Sequence, residues 1–373
     1  MADITRPRTQ RPKTGPKQTS NPPEDSSRGG SSSTESPELL RSYYEQMSLV
    51  REFELRASEM YARAKIGGYC HLNLGEEATV VGLTAALQPR DYLYTTYRDH
   101  GYALLRGMEP GPVMAELFGK SDGVVGGRGG SMHMFDYERR MMGGYGIVGG
   151  QIPPATGAAF AIQYRSEAGP ESEAVMCILG DGTTNIGAFH ESLNLAGIWN
   201  LPIVYVIVNN KLGMGTTVEA ASAEPDLFKR GSAYRIPGER VNGDDPIAVR
   251  DGALRALKRA REERQPMLLE ATSFRLRGHS VVDPARYRSK EDTAVAQSND
   301  PVPAFRNQLI ASKVLSEDEA EKIHVAADKI VTDAVAFADA SPSPSLDTLF
   351  DHIYATPVAN APHALPGEPV MQS

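Results

Sequence analysis

The stretch AVMCILGDGTTNIGAFHESLNLAGIWNLPIVYVIVNNKLGMGT, Ala174 to Thr216, decides the fold. Its two apolar runs, Ala174–Leu179 and Ile203–Val208, are short and rich in Val and Ile, so each reads as a strand buried on both faces. Between them Ile186, Phe189, Leu193, Ala196 and Trp199 recur at steps of three and four, which predicts a helix with one apolar stripe. A strand, a helix and a second strand in this order make a parallel pair, and both strands then end on the same edge of the sheet. Gly180-Asp181-Gly182 follows the first end, and Asn209-Asn210 follows the second.

That edge is where open α/β sheets bind ligands. Asp181 and Asn210 bring oxygen donors suited to a hard cation such as Mg²⁺. Gly180 and Gly182 allow close backbone approach, and a helix N-terminus just beyond them offers N–H groups to an anion. A lone Gly-Asp-Gly would read as an ordinary turn. With Asn-Asn closing the same unit, the pattern points to a magnesium-diphosphate site.

Gly-Asp-Gly, 26 intervening residues and Asn-Asn are similar to the thiamine-diphosphate motif. The surrounding sequence resembles the α subunits of the E1 component of 2-oxo acid dehydrogenase complexes, nearest to the pyruvate dehydrogenases. The likeness runs from about Ser36 to about Tyr354 and rests on GGYCHLNLGEEA, TTYRDHG, GGRGGSMHM, GYGIVGGQIP, GDGTTN, NNKLGMGT and FRLRGHSVVDP. It implies an α/β thiamine-diphosphate-binding fold, with a mostly parallel central sheet, helices on both faces and a single domain over residues 37–356. It implies thiamine diphosphate and Mg²⁺ as cofactors. The implied reaction is oxidative decarboxylation of a 2-oxo acid, pyruvate first, with the acyl unit passed to a lipoylated E2 acyltransferase. The implied partner is an E1 β subunit in a heterotetramer of α and β chains. Branched-chain and acetoin E1 α subunits are the alternatives. A non-catalytic assembly paralogue is a third, against which intact Asp181, Asn210, Arg98 and His279 speak.

The same resemblance assigns roles. His71 falls at the substrate end of the cofactor and, with His279, is a candidate catalytic residue. Tyr97, Arg98 and His279 match positions that contact the diphosphate. Gly146 and Val148 match backbone groups that hold the aminopyrimidine ring. Gly180, Asp181, Gly182 and Thr183 form the cofactor motif. Asp181, Asn210 and the carbonyl of Leu212 are the implied metal ligands, with Leu standing where Tyr is common. Met214 matches the bulky residue that bends the cofactor, and Ile186 stands where the family often has Gln. Arg98 also admits a plainer reading, a surface ion pair with Asp99.

Composition narrows the classes. The chain has 373 residues and a net charge of −8, which argues against nucleic acid as its main partner. Its two cysteines, Cys70 and Cys177, lie in separate segments, one of them an expected buried strand, so a reducing compartment is expected. No apolar run approaches a membrane span, and no signal peptide is recognisable. The expected location is bacterial cytoplasm rather than mitochondrial matrix, because residues 1–36 carry Asp3, Glu24 and Asp25 among their basic residues. That segment is rich in Pro, Ser, Gly and Arg and is expected to be disordered, as are residues 357–373.

Elsewhere, Ser36 and Pro37 open an amphipathic helix expected to run to about Ile66 before Gly67-Gly68, and a second helix is expected from near Glu76. A short strand is expected to end at Asp91. Gly119–Met134 holds six glycines and reads as a loop packed against other backbone near a subunit boundary. Lys120-Ser121 fails as a P-loop because position 114 is Met114. Gly144–Gly149 spells GxGxxG, but ERRMMG before it does not read as a strand and Pro153-Pro154 follow, so no dinucleotide site is expected. Gly157, Ala158, Ala159 and Ala161 then give a small-faced helix. A helix is expected over Asp245–Glu263, a strand over Met267–Leu276, a charged loop over Gly278–Thr293 and mostly helix over Pro301–Ala340. No zinc-type His/Cys spacing and no GxSxG elbow occur.

Overall fold

The computed structural model describes residues 35–349 and 351–353. The tails expected at residues 1–36 and 357–373 lie outside the described residues, apart from Glu35 and Ser36. Among the described residues there are eight strands: β1 Tyr92–Thr96, β2 Met141–Tyr145, β3 Val175–Gly180, β4 Ile203–Asn209, β5 Leu212–Gly213, β6 Thr216–Thr217, β7 Gly238–Asn242 and β8 Met267–Thr272. Six make one parallel sheet in the order β2-β1-β3-β4-β8-β7, while β5 and β6 form a separate antiparallel ribbon.

The Val/Ile runs lie at the centre. Val175 pairs with Ile203 and Gly180 with Val208, so the chain leaves β3 and β4 on one edge. Alternate residues face opposite ways. Val175, Cys177, Leu179, Tyr205 and Ile207 pack against the helices Ile152–Arg165 and Gly187–Trp199. Met176, Ile178, Val204 and Val206 pack on the other face against the helices Glu77–Ala86 and Pro246–Glu263. Each such Val or Ile contributes about 1.5–3 kcal/mol by leaving water. The two helices of this second face touch backbone to backbone. A Cβ at Gly82 would stand 2.6 Å from both the Pro246 carbonyl and Val249 Cβ.

The topology decides where a ligand fits. The chain passes outward from β1 to β2, then crosses back beyond β1 to β3 and β4. Connections therefore diverge after β1 and β3, and a crevice opens at their carboxyl ends.

Several boundaries differ from the sequence expectation. The first helix, Pro37–Ala62, is capped by Ser36 as expected, but it stops before Ile66 because Ala64 turns left-handed at φ +58°. The strand expected to end at Asp91 begins after it. Buried Asp91 accepts hydrogen bonds from Gln88 N and Ala174 N and pairs with Arg261, fixing the entry to β1. A strand, β2, does precede GYGIVG, and a helix does follow. The Met and Gly residues of β2 carry little β signature, and its pairing with β1 supplies the order. Pro153 and Pro154 occupy the first helical turn, where no N–H is needed. Strand β8 stops at Thr272 rather than Leu276. Trp199 leaves the buried stripe and stacks on Phe160 at 5.1 Å on the outer face. The charged loop from Gly278 gives way at Lys290 to a helix capped by Ser289 and Asp292. Among the described residues no helix is long and apolar enough to cross a membrane.

Candidate functional site

Strand ends deliver the site. Thr96, Tyr97 and Arg98 leave β1, and Val148 follows β2. Gly180 ends β3, and Asp181, Gly182 and Thr183 follow it. Asn210, Leu212 and Met214 follow β4, and Arg275 and His279 follow β8. These residues, with Glu76 from the start of the helix Glu77–Ala86, line a cleft of about 270 Å³ at the crevice. His71 and Gly146 are not in its lining. His71 packs beside it, its ring 4.3 Å from that of Tyr97 and 5.2 Å from that of His279. Gly146 sits against His133, whose Nε2 would lie 3.1 Å from an added Cβ.

The helix N-terminus expected directly after Gly-Asp-Gly is instead a 3-10 turn, Asp181–Asn185, and the α-helix starts at Gly187. Thr184 holds this turn by donating its hydroxyl to the Asp181 carbonyl at 2.7 Å.

The loop after β4 folds back on itself. Lys211 is left-handed at φ +66°, and the Leu212 carbonyl returns beside Asn210. One nitrogen of Arg275, Nη1, donates to both: 3.4 Å to Asn210 Oδ1 and 3.1 Å to Leu212 O. Two uncharged oxygens thus converge on a single cationic group. Asp181 is their neighbour, since an added Cβ at Gly213 would lie 3.9 Å from its Oδ2. A carboxylate, an amide oxygen and a peptide carbonyl fit the preference of Mg²⁺ for hard oxygen ligands.

The rest of the cleft suits an anion. Arg98 and Arg275 are both buried in it. Arg98 donates to the Leu72 carbonyl and, at 3.0 Å, to the His279 carbonyl. It does not pair with Asp99, whose buried carboxylate accepts from Met134 N at 3.2 Å. Burial and then the Arg98 charge hold Arg275 below its usual range. Burial, followed by the two guanidinium charges, lowers His279 to about 4. Burial and then Arg98 lower His71 to about 3. Each of these imidazoles keeps a buried Nδ1 without a hydrogen-bond partner. Burial raises Asp181 to about 6. Crowded cations and orphaned ring nitrogens are relieved by a polyanion, and a desolvated carboxylate is relieved by a metal cation.

Two residues escape sequence reasoning. Arg275 carries a readable signal, because the alternation past β8 buries Arg275 and exposes Arg277. Glu76 carries none, as its contact with Asn210 spans 134 positions.

A doubly wound parallel sheet with these donors at its switch point has the architecture of the thiamine-diphosphate enzymes. The chain belongs to the dehydrogenase E1 component family, whose model matches residues 45–347. It is 42% identical over 311 residues to the pyruvate dehydrogenase E1 component subunit alpha of Rhizobium meliloti (strain 1021), covering 83% of this chain and 88% of that one. A protein of the same name from Zymomonas mobilis is 41% identical over 85% of this chain and 88% of its own. The chloroplastic subunit alpha-3 of Arabidopsis thaliana is 41% identical over 84% of this chain and 74% of its own.

Proposed function

We propose that this chain is the α subunit of a pyruvate dehydrogenase E1 component, an oxidoreductase that decarboxylates pyruvate and delivers the acyl group to a lipoylated E2. Family membership and relatives of that name over most of the chain support the reading. Bound thiamine diphosphate supplies the carbanion chemistry on which the decarboxylation depends. In this reading Asp181, Asn210 and the Leu212 carbonyl hold Mg²⁺. Tyr97, Arg98, Arg275 and His279 receive the diphosphate, with Gly180, Gly182 and Thr183 forming its floor. Backbone groups of Gly146 and Val148 hold the aminopyrimidine. Met214, exposed and left-handed at φ +56°, stands where the cofactor is bent. Neutral His71, packed against the rings of Tyr97 and His279, is the group assigned to the substrate end in this reading.

The convergence of Asn210 Oδ1 and Leu212 O on one cationic nitrogen carries this reading. The partners are an E1 β subunit, in a tetramer of two chains of each kind, and lipoylated E2. A single domain spans residues 37–356, and the bacterial relatives suit a cytoplasmic location. The test is calorimetric titration of thiamine diphosphate into the α–β assembly with and without Mg²⁺. Asp181→Ala is expected to abolish the metal-dependent part of binding, and binding that survives it unchanged overturns the site. Turnover of the assembly with pyruvate, 3-methyl-2-oxobutanoate and acetoin then fixes the substrate.

A further inference from the structure

Asn210 has two ends that differ by a half-turn about one bond, and only its oxygen serves a cation. Two charged neighbours set which end faces the cleft, Arg275 by donating to Oδ1 at 3.4 Å and, at the shorter distance, the carboxylate of Glu76. It is 3% exposed, and its Oε1 lies 2.9 Å from Asn210 Nδ2. A carboxylate has no proton to give, so it accepts from the amide nitrogen and leaves Oδ1 turned toward the Leu212 carbonyl.

Glu76 is itself held in place. It makes no cap to its own helix. Its Oε2 accepts from Asn73 Nδ2 at 3.4 Å and stands 3.8 Å from Arg98 Nε. Asn73 is oriented in turn, because its Oδ1 accepts from Gly101 N at 3.2 Å. Each link has one allowed direction: the Gly101 amide fixes Asn73, Asn73 and Arg98 fix Glu76, and Glu76 fixes Asn210. Starting from a backbone N–H that cannot turn over, the relay ends on an oxygen facing the cation position.

We propose that Glu76 is a positioning residue of the cation site, acting through Asn210 to keep the amide oxygen rather than the nitrogen toward the metal. This rests on the reading of Asp181, Asn210 and Leu212 as the metal ligands. Glu76 is not a ligand in this account, and its negative charge is secondary to its inability to donate.

The test separates orientation from charge. Thiamine diphosphate is titrated into the full chain, assembled with its β subunit, at graded Mg²⁺, and the half-saturating Mg²⁺ concentration is read from binding rather than turnover. Glu76→Gln places an amide beside an amide and removes the neighbour that can only accept from Asn210 Nδ2. Half-saturation is expected to rise about tenfold, the lower end of what outer-shell changes cost in metal affinity. Asn210→Asp sets two carboxylates against each other. Adding Glu76→Gln to it gives the introduced carboxylate a donor, and Mg²⁺ binding is expected to tighten severalfold over Asn210→Asp alone. The same substitution thus acts with opposite sign in the two backgrounds. If Glu76→Gln weakens Mg²⁺ binding in both, Glu76 acts by charge, and the inference is overturned. If it changes neither, the inference is overturned likewise. Asp181→Asn is the reference: Mg²⁺-dependent binding unchanged from wild type there removes the underlying cation site, whereas its loss beside a silent Glu76→Gln removes only the orienting role.

Discussion

Glu116 is completely buried at the end of the helix Pro110–Leu117, and its carboxylate gathers the glycine-rich loop around it. Oε2 accepts from Val125 N at 3.0 Å and Gly127 N at 2.8 Å, and Oε1 accepts from Gly129 N at 2.7 Å and Gly130 N at 3.0 Å. The loop has glycine where the carboxylate and backbone need space. Gly127 is left-handed at φ +74°, and a Cβ there would stand 2.6 Å from the Lys120 carbonyl. Glu116→Gln keeps one accepting oxygen and turns an NH₂ toward the other pair of N–H groups. Two half-buried donors lose their acceptor, at up to about 1–3 kcal/mol each. Removing the desolvated charge offsets part of this, so the expected loss is roughly 2–4 kcal/mol. That is a large share of the ~5–15 kcal/mol that typically holds a native protein together. The readout is denaturant unfolding together with amide hydrogen exchange. Exchange is expected to accelerate at one of the two amide pairs and, through Ser131 and its hydrogen bond to His100, along the segment that reaches Met134. Wild-type midpoint and wild-type protection at Val125, Gly127, Gly129 and Gly130 would refute the claim that this carboxylate holds the loop.

Other outcomes follow from the cleft and its surroundings. Arg275→Met removes one of two buried guanidinium groups, and thiamine diphosphate affinity is expected to fall about 10–100-fold, the weight of one charge-assisted bond, by calorimetry at saturating Mg²⁺. Asp99, beside Glu54 and His100, is raised by burial from 3.8 to about 7. The folded protein therefore holds that proton where the unfolded chain releases it, and stability falls as pH rises from about 4 to about 7. Asp99→Asn removes this loss, so its melting temperature is expected to gain on wild type steadily between pH 5 and pH 8; a constant gap refutes the assignment. Gly82→Val is expected to cost about 3 kcal/mol or more by forcing apart two helices that touch through backbone, measured by denaturant midpoint. The chain purified without a β subunit is expected to show no turnover with pyruvate and a lipoylated acceptor, and full activity alone overturns the proposed division of labour.

The parts of the fold readable in sequence are those set by dense local signals. The runs around β3 and β4 carry so many Val and Ile residues that burial on both faces is nearly forced, and the stripe Phe189, Leu193 and Ala196 names the connecting helix. With the parallel pair fixed, Asp181 and Asn210 must share an edge. Strand β2 was not readable, because Met141-Met142-Gly143-Gly144 has no preference that β1 does not impose on it. Nor was the 3-10 turn at Asp181, since Thr183 and Thr184 allow either geometry. Glu76 and Arg275 reach the cleft only through contacts 134 and 65 residues long. No local period records such meetings, although family likeness placed most of their neighbours.

The two rims of the sheet have a consequence of their own. On one side β2 is five residues long, contains two adjacent glycines and slips register against β1 between Leu93 and Thr95. On the other, β7 carries Glu239 and Arg240, tied to Arg255 and Glu270. A kinked, glycine-bearing border and a charged one both make poor templates for an incoming extended segment. The ribbon of strands is therefore blunted at both borders against edge-to-edge stacking, which leaves the helices and loops as the better surfaces on which to build a larger assembly.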